Sequence, residues 1–559
     1  METTKRRPHL SYFRDRRSRA GVFATLAFVG SSLIAPVASG ANPISEIEQT
    51  KGFRKGVTVA GIREHQAAFQ SFADDNGGNR PSGLGGYDAS AQYVYDRATA
   101  AGYDVSFQEF TFTFVGDATP PVFERITAPA AVYVDGVDFG TASYSGSGDV
   151  TAPITAVDLV VPSPGLMNGN TSGCEAGDFA GFTVGHIALM QRGTCTFRVK
   201  AENALAAGAA AAIIFNEGQP GRTAVLFPTL SPPPVDLPTI GITFELGNSL
   251  RNGVVNGPTG VTVHVKSDQL AEERTTRNVI AETPGGDPNR VVVVGAHLDS
   301  VTRGPGINDN GSGSGTILEI AEVFAAQGRD ARNKLRFMWY AAEEGGLIGS
   351  SYYVANLSAA ERGQIEMMLN FDMVGSPNMV RFVYDGNNST FPVGPGVQLG
   401  PPGSGEIERV FAHYFASQGL LSEPTPFSGR SDYGPFITPT LAFPVGIPAG
   451  GLFTGAEGIK TVAQAAVYGG VPGAQYDPCY HLACDTFAGT GLGTPWVGLT
   501  ALDQMSDAAA HATLLFSKRN FAQEPLTTTS LAADAALRQL SVGGATDSPS
   551  TEFDQRLSR

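Results

Sequence analysis

The chain has 559 residues, 42% of them hydrophobic, enough for two or three domains with a large core. Charged residues make up 16% and glycines number 69, which fits a loop-rich folded protein better than a disordered one. The formal net charge is −15 with no basic stripe beyond the N-terminus, which argues against nucleic acid as a partner.

The first 41 residues read as a signal peptide, and the expected location is secreted. Arg6, Arg7, Arg14, Arg16, Arg17 and Arg19 form a basic stretch. An apolar run follows over 20–34, then a small-residue cleavage region over 36–41. Gly30, Ser31 and Ser32 interrupt the apolar run, which is short for a membrane span, and no later run is long enough to be one. Arg16-Arg17 leaves Sec and twin-arginine export both open. Residues 42–60 show no clear pattern. The spacing of apolar residues from Ile62 predicts a helix, 79–86 a loop, 88–101 a second helix and 105–115 a strand. From 141 to 265 the chain changes character. Short strands are expected at 157–161, 186–190, 211–215 and near 238–242, with a helix over 200–207 that ends at Gly208. From about Arg277, strand and helix alternate. Strands are expected at 290–295, 334–341 and 367–372, and helices at 313–326 and 350–355. This order predicts an α/β fold, a mostly parallel mixed sheet flanked by helices. The segment after 521 is polar and poor in aromatics.

Four cysteines in an exported chain suggest disulfides. They fall in two close pairs, Cys174 with Cys195 and Cys479 with Cys484. A thiolate zinc site is the alternative, although neither pair has the CxxC spacing.

Candidate catalytic residues gather where the expected parallel strands end, the place where open α/β sheets bind ligands. His297 and Asp299 follow the first strand, Glu343 and Glu344 the second, and Asp372 ends the third. Asp309 lies in a Gly/Ser-rich loop that feeds a helix, and His481 lies beside the last cysteine pair. Imidazole and carboxylate suit zinc. Two histidines and three carboxylates suffice for two zincs if one carboxylate bridges, and such a pair activates water. Glu343 and Glu344, read as neighbours on an extended segment, point opposite ways, so one can bind metal while the other handles a proton.

The motifs Gly295-Ala-His-Leu-Asp-Ser300, Gly306-Ile-Asn-Asp-Asn-Gly-Ser-Gly313, Ala342-Glu-Glu-Gly345, Asn370-Phe-Asp-Met-Val374 and Tyr480-His481 resemble those of the two-zinc aminopeptidases related to aminopeptidase Y and the secreted bacterial leucyl aminopeptidases. The resemblance implies two zincs per chain, bridged by Asp309. His297 and Asp372 would complete one site, Glu344 and His481 the other. It implies Glu343 as general base, Asp299 orienting His297, Tyr480 donating to the oxyanion, and a cis peptide between Asp309 and Asn310. Arg430 would lie near the substrate amine, and Met373 and Phe453 would line an apolar pocket for Leu-like N-terminal residues. The substrates implied are N-termini of peptides or proteins.

The stretch 185–216 resembles a protease-associated domain, a non-catalytic module that shapes access or binds other proteins, and Cys174 and Cys195 match a disulfide position there. The expected division is a signal over 1–41, a first peptidase part over 42–140, the inserted domain over 141–266, the zinc peptidase over 267–520 and a polar tail over 521–559. Three other readings share the scaffold: a carboxypeptidase-like dipeptidase, a one-zinc glutaminyl cyclase and a non-catalytic binding ectodomain.

Overall fold

A computed structural model describes residues 43–526 apart from 162–168, 220–221, 232, 395, 442 and 490–496. The expected signal peptide and all of the polar tail beyond 526 lie outside the described residues.

The larger sheet has eight strands. In spatial order they are Asp104–Asp117, Gln269–Glu282, Asn333–Tyr340, Asp287–His297, Ile365–Phe371, Ala449–Phe453, Phe382–Tyr384 and Glu423–Thr425. The four central strands, from Asn333–Tyr340 to Ala449–Phe453, run parallel, and antiparallel strands flank them. Val291, Val292, Val293 and Val294 are all buried, because helices cover both faces of a parallel sheet. The helix Gly311–Ala326 connects two of these strands and is buried along nearly its whole length. Its Gly-Ser-Gly-Ser-Gly start had suggested a flexible loop with the helix beginning at Gly313. It is instead the first turn of the helix. A Cβ on Gly313 would stand 2.1 Å from the Phe371 carbonyl oxygen, so only a residue without one lets the two elements meet.

The expected helices near 62–72 and 88–101 are Val59–Asp74 and Gly85–Ala100. The segment without a readable pattern contains the helix Pro43–Arg54. Few of its residues are apolar and buried, chiefly Ile47 and Phe53, which is why no periodicity stood out. It is held by partners distant in sequence. Thr50 bonds His511 at 2.7 Å, and Arg54 donates to Tyr414 at 3.0 Å.

The second sheet also has eight strands, in the order Ala131–Val132, Val122–Arg125, Gly257–Ser267, Gly148–Ala156, Ile187–Gln191, Ala211–Phe215, Thr239–Ile242 and Phe139–Thr141. The paired antiparallel strands Asp104–Asp117 and Gln269–Glu282 lead the chain out to this sheet and back. Strands from Val122 onward belong to it, so it begins well before the expected boundary at 141. These early strands are short and punctuated by Pro and Gly, so they carry little alternation. The strand expected at 157–161 ends at Ala156 instead, because Asp158 turns the chain with a φ of 43°. Disulfides join Cys174 to Cys195 and Cys479 to Cys484, which leaves no thiolate for a metal.

Candidate metal centre

The parallel strands deliver their last residues to one edge. His297 is the final residue of Asp287–His297, and Asp372 follows Ile365–Phe371 directly. Asp309 precedes the helix N-cap Asn310, and the peptide between them is cis. His481 comes from the loop closed by Cys479–Cys484. His297 Nε2 lies 3.2 Å from Asp309 Oδ1 and 3.4 Å from Asp372 Oδ1. His481 Nε2 lies 3.1 Å from Asp309 Oδ2 and 3.1 Å from Glu344 Oε2. The two oxygens of Asp309 therefore face two separate triads, each spaced to hold a metal ion.

Two further observations fit cations here. Glu344 Oε1 and Asp372 Oδ1 are buried without a hydrogen-bond partner, a costly state unless a metal or water satisfies them. The cluster is also short of positive charge. Burial pushes the Glu343 carboxyl well above the usual carboxylate range; His297 opposes this, while Glu344, Asp432 and Asp372 add to it. Burial works against a charge on His297, yet Asp372 and Glu343 raise its pKa well above the ordinary imidazole value. Burial would raise Asp309, but hydrogen bonds from His297 and His481 carry it below its ordinary value.

Glu343 and Glu344 do not lie on an extended segment. They sit in a tight turn in which the Glu343 carbonyl accepts from Gly346 and Leu347 at 2.7 and 2.8 Å. Ala342, just before them, has a φ of 53°. Met373 and His481 are also left-handed, at 51° and 60°, so three backbone outliers adjoin the cluster. Asp299 has two contacts. Its backbone oxygen is 3.2 Å from His297 Nδ1, closer than its carboxylate at 3.6 Å, and that carboxylate accepts from the Glu343 N–H at 3.2 Å.

Arg430 donates to Tyr480 Oη at 3.3 Å and pairs with Glu457 at 3.0 Å. Tyr480 stacks on His481 with ring centroids 3.8 Å apart. Met373 is buried beside Asp372. Phe453 ends the strand Ala449–Phe453 and stacks on Phe382.

Several supporting residues carried no signal in the sequence. Asp485 accepts the backbone N–H groups of Asn308 and Asp309 at 2.7 and 3.0 Å. Asp477 accepts from Asn308 Nδ2 at 2.6 Å. Ser431 Oγ donates to Asp372 Oδ2 at 2.6 Å and accepts from Asn370 at 2.8 Å. Arg80, fully buried, donates to the carbonyls of Pro305 and Gly306 at 2.8 and 2.9 Å and so fixes the loop between His297 and Asp309.

Comparison with known proteins places the chain among peptidases. Residues 278–497 match the model of peptidase family M28, and residues 150–250 match the PA domain. An aminopeptidase of Pseudomonas aeruginosa (strain UCBPP-PA14) is 44% identical over 83% of this chain and 81% of its own length. Leucine aminopeptidase 2 of Trichophyton rubrum is 40% identical over 79% of this chain and 82% of its own. In fold, the chain is similar to the aminopeptidase from Aneurinibacillus sp. strain AM-1 (TM-score 0.59, 24% identity, 86% of this chain and 98% of that one). It is equally similar to the zinc aminopeptidase BSAP from Bacillus subtilis (TM-score 0.59, 24% identity, 83% and 96%). With its candidate metal site at the strand ends and its second sheet, the chain belongs to peptidase family M28, is an aminopeptidase and carries a PA domain.

Proposed function

We propose that this enzyme is a secreted aminopeptidase that holds two zinc ions and removes apolar, Leu-like residues from peptide N-termini. The observation that carries the two-zinc reading is the sharing of Asp309 between two ligand triads. His297, Asp309 and Asp372 would hold one ion, and Asp309, Glu344 and His481 the other. When bound, the zinc pair supplies Lewis acidity and lowers the pKa of water.

The chain's own residues do the rest. Glu343 takes a proton from the attacking water and returns it to the leaving amine; its burial favours a carboxyl ready to hold that proton. Tyr480, steadied by Arg430, donates to the carbonyl oxygen as negative charge develops there. Asp299 fixes the ring of His297 and the backbone of Glu343. Asp372, Glu343 and the backbone near Arg430 receive the substrate's α-amine, and Met373 with Phe453 accepts its side chain. The two disulfides are in keeping with an oxidising, extracellular setting. No helix among the described residues is long and apolar enough to cross a membrane. The division into peptidase parts and an inserted domain over 141–266 is supported by the second sheet, whose strands run from Val122 to Ser267.

The test is zinc content measured with hydrolysis of an aminoacyl anilide panel. Two zincs per chain, a preference for Leu and no cleavage of N-acetylated peptides are expected. One zinc, or equal cleavage of blocked peptides, contradicts the proposal. Glu343→Gln should keep its zinc and lose at least about a hundredfold in kcat, the typical share of a general base.

A further inference from the structure

An open cleft runs from the metal cluster to the second sheet. Glu344 and His481 line it, and the half-buried Phe227 stands in its wall beside the buried Phe112, Phe114 and Tyr144. Phe112 and Phe114 come from the edge strand Asp104–Asp117, whereas Tyr144 and Phe227 come from the part of the chain that forms the second sheet.

The order of strands gives this cleft a direction. Going inward from the edge strand Asp104–Asp117, the sheet presents Gln269–Glu282, then the strand leading to Glu343 and Glu344, then His297, Asp372 and finally Phe453. Met373 and Phe453 therefore lie on the flank away from the cleft. A peptide whose first side chain sits by Met373 and Phe453, with its scissile carbonyl at the cluster, must run its remaining residues past Glu344 and His481 into the cleft.

The far wall is held in place. The ring of Phe227 lies across Gly140, where a Cβ would stand only 2.3 Å from it. The Arg303 guanidinium lies 4.4 Å from the centroid of that ring. Arg303 comes from the loop after His297 and donates to Asp135 at 2.9 Å and Thr141 at 3.0 Å, both in the part that forms the second sheet. Tyr144 Oη donates to the Gly345 carbonyl at 3.3 Å, next to the Glu343–Glu344 turn. The wall is thus tied to the catalytic segment, and a half-buried aromatic ring such as Phe227, fixed this way, binds apolar side chains with little ordering cost.

We infer that this cleft is the binding site for the second and third residues of the substrate, and that Phe227 makes it select peptides with apolar or aromatic residues there. This rests on the aminopeptidase reading above, with the first side chain at Met373 and Phe453.

The experiment compares kcat/KM for Leu-Phe-Phe-Gly and Leu-Gly-Gly-Gly, with leucyl anilide as reference, in wild type and Phe227→Ala. Wild type should favour the aromatic peptide about tenfold, the factor made by about 1.4 kcal/mol of apolar burial. Phe227→Ala should cut that preference to about twofold, on the same conversion of lost burial into rate. Phe227→Leu, which keeps an apolar group over Gly140, is measured where the alanine variant does not fold, and an intermediate preference is expected. Equal wild-type rates on the two peptides, or a preference untouched by the Phe227 variants, overturn the inference. Failure of wild type to cleave leucyl anilide indicts the aminopeptidase reading instead.

Discussion

Asp485→Asn isolates how the bridging carboxylate is aimed. The two oxygens of Asp485 accept the N–H groups of Asn308 and Asp309, at 2.7 and 3.0 Å, and both Asp485 and Asp309 are buried. Asparagine keeps one acceptor and turns an NH₂ toward the second N–H. One buried amide then lacks a partner, which costs about 1–3 kcal/mol, and two donors face each other. The strain falls on the Asn308–Asp309 backbone, and both triads share Asp309. If the cost falls on the metal-competent arrangement, zinc affinity drops about 10- to 100-fold, since 1.4 kcal/mol is tenfold. Equilibrium dialysis against a graded chelator, with zinc counted per chain, measures this directly. Asp485→Asn should give up both zincs at lower chelator activity than wild type. Superimposable retention curves in a folded variant would refute the claim that Asp485 positions the bridge.

Other outcomes follow from neighbouring contacts. Ser431→Ala removes the donor to Asp372 Oδ2 and should weaken zinc binding about 10- to 100-fold, the usual cost of losing such a supporting partner, with little change in melting temperature of the metal-free chain. His65 is held neutral down to about pH 4, by burial and then by Arg97, and His511 down to about pH 3, by burial and then by Arg54. In the unfolded chain both titrate near pH 6.5, so the unfolded state binds more protons below that value. Their contribution is fully present above pH 6.5 and shrinks as pH falls toward the folded values, by on the order of 3 kcal/mol per histidine at pH 4. Urea melts across pH 4–7 should show this, with a shallower acid limb in His511→Gln; identical limbs would remove His511 from the account.

Much of the cluster is legible in the sequence because parallel strands must present their C-terminal ends at one edge. His297, Asp309, Asp372 and the Glu343–Glu344 pair follow consecutive elements of one alternating segment, so topology alone brings them near each other. Local periodicity likewise gives the buried strand 290–295 and the helices beginning at Val59 and Gly85. Folding decided what depends on partners far apart in the chain. The helix Pro43–Arg54 forms against His511, Tyr414 and Asp507, so no local pattern announces it. The Glu343–Glu344 turn, the bonds from Asp485 and Ser431, and the wall that Phe227 sets across the cleft all join segments tens to hundreds of residues apart. A linear sequence carries residue types and spacing. Which carboxylate oxygen meets which N–H, and which residues wall the cleft beside Glu344 and His481, are set by packing between those distant segments.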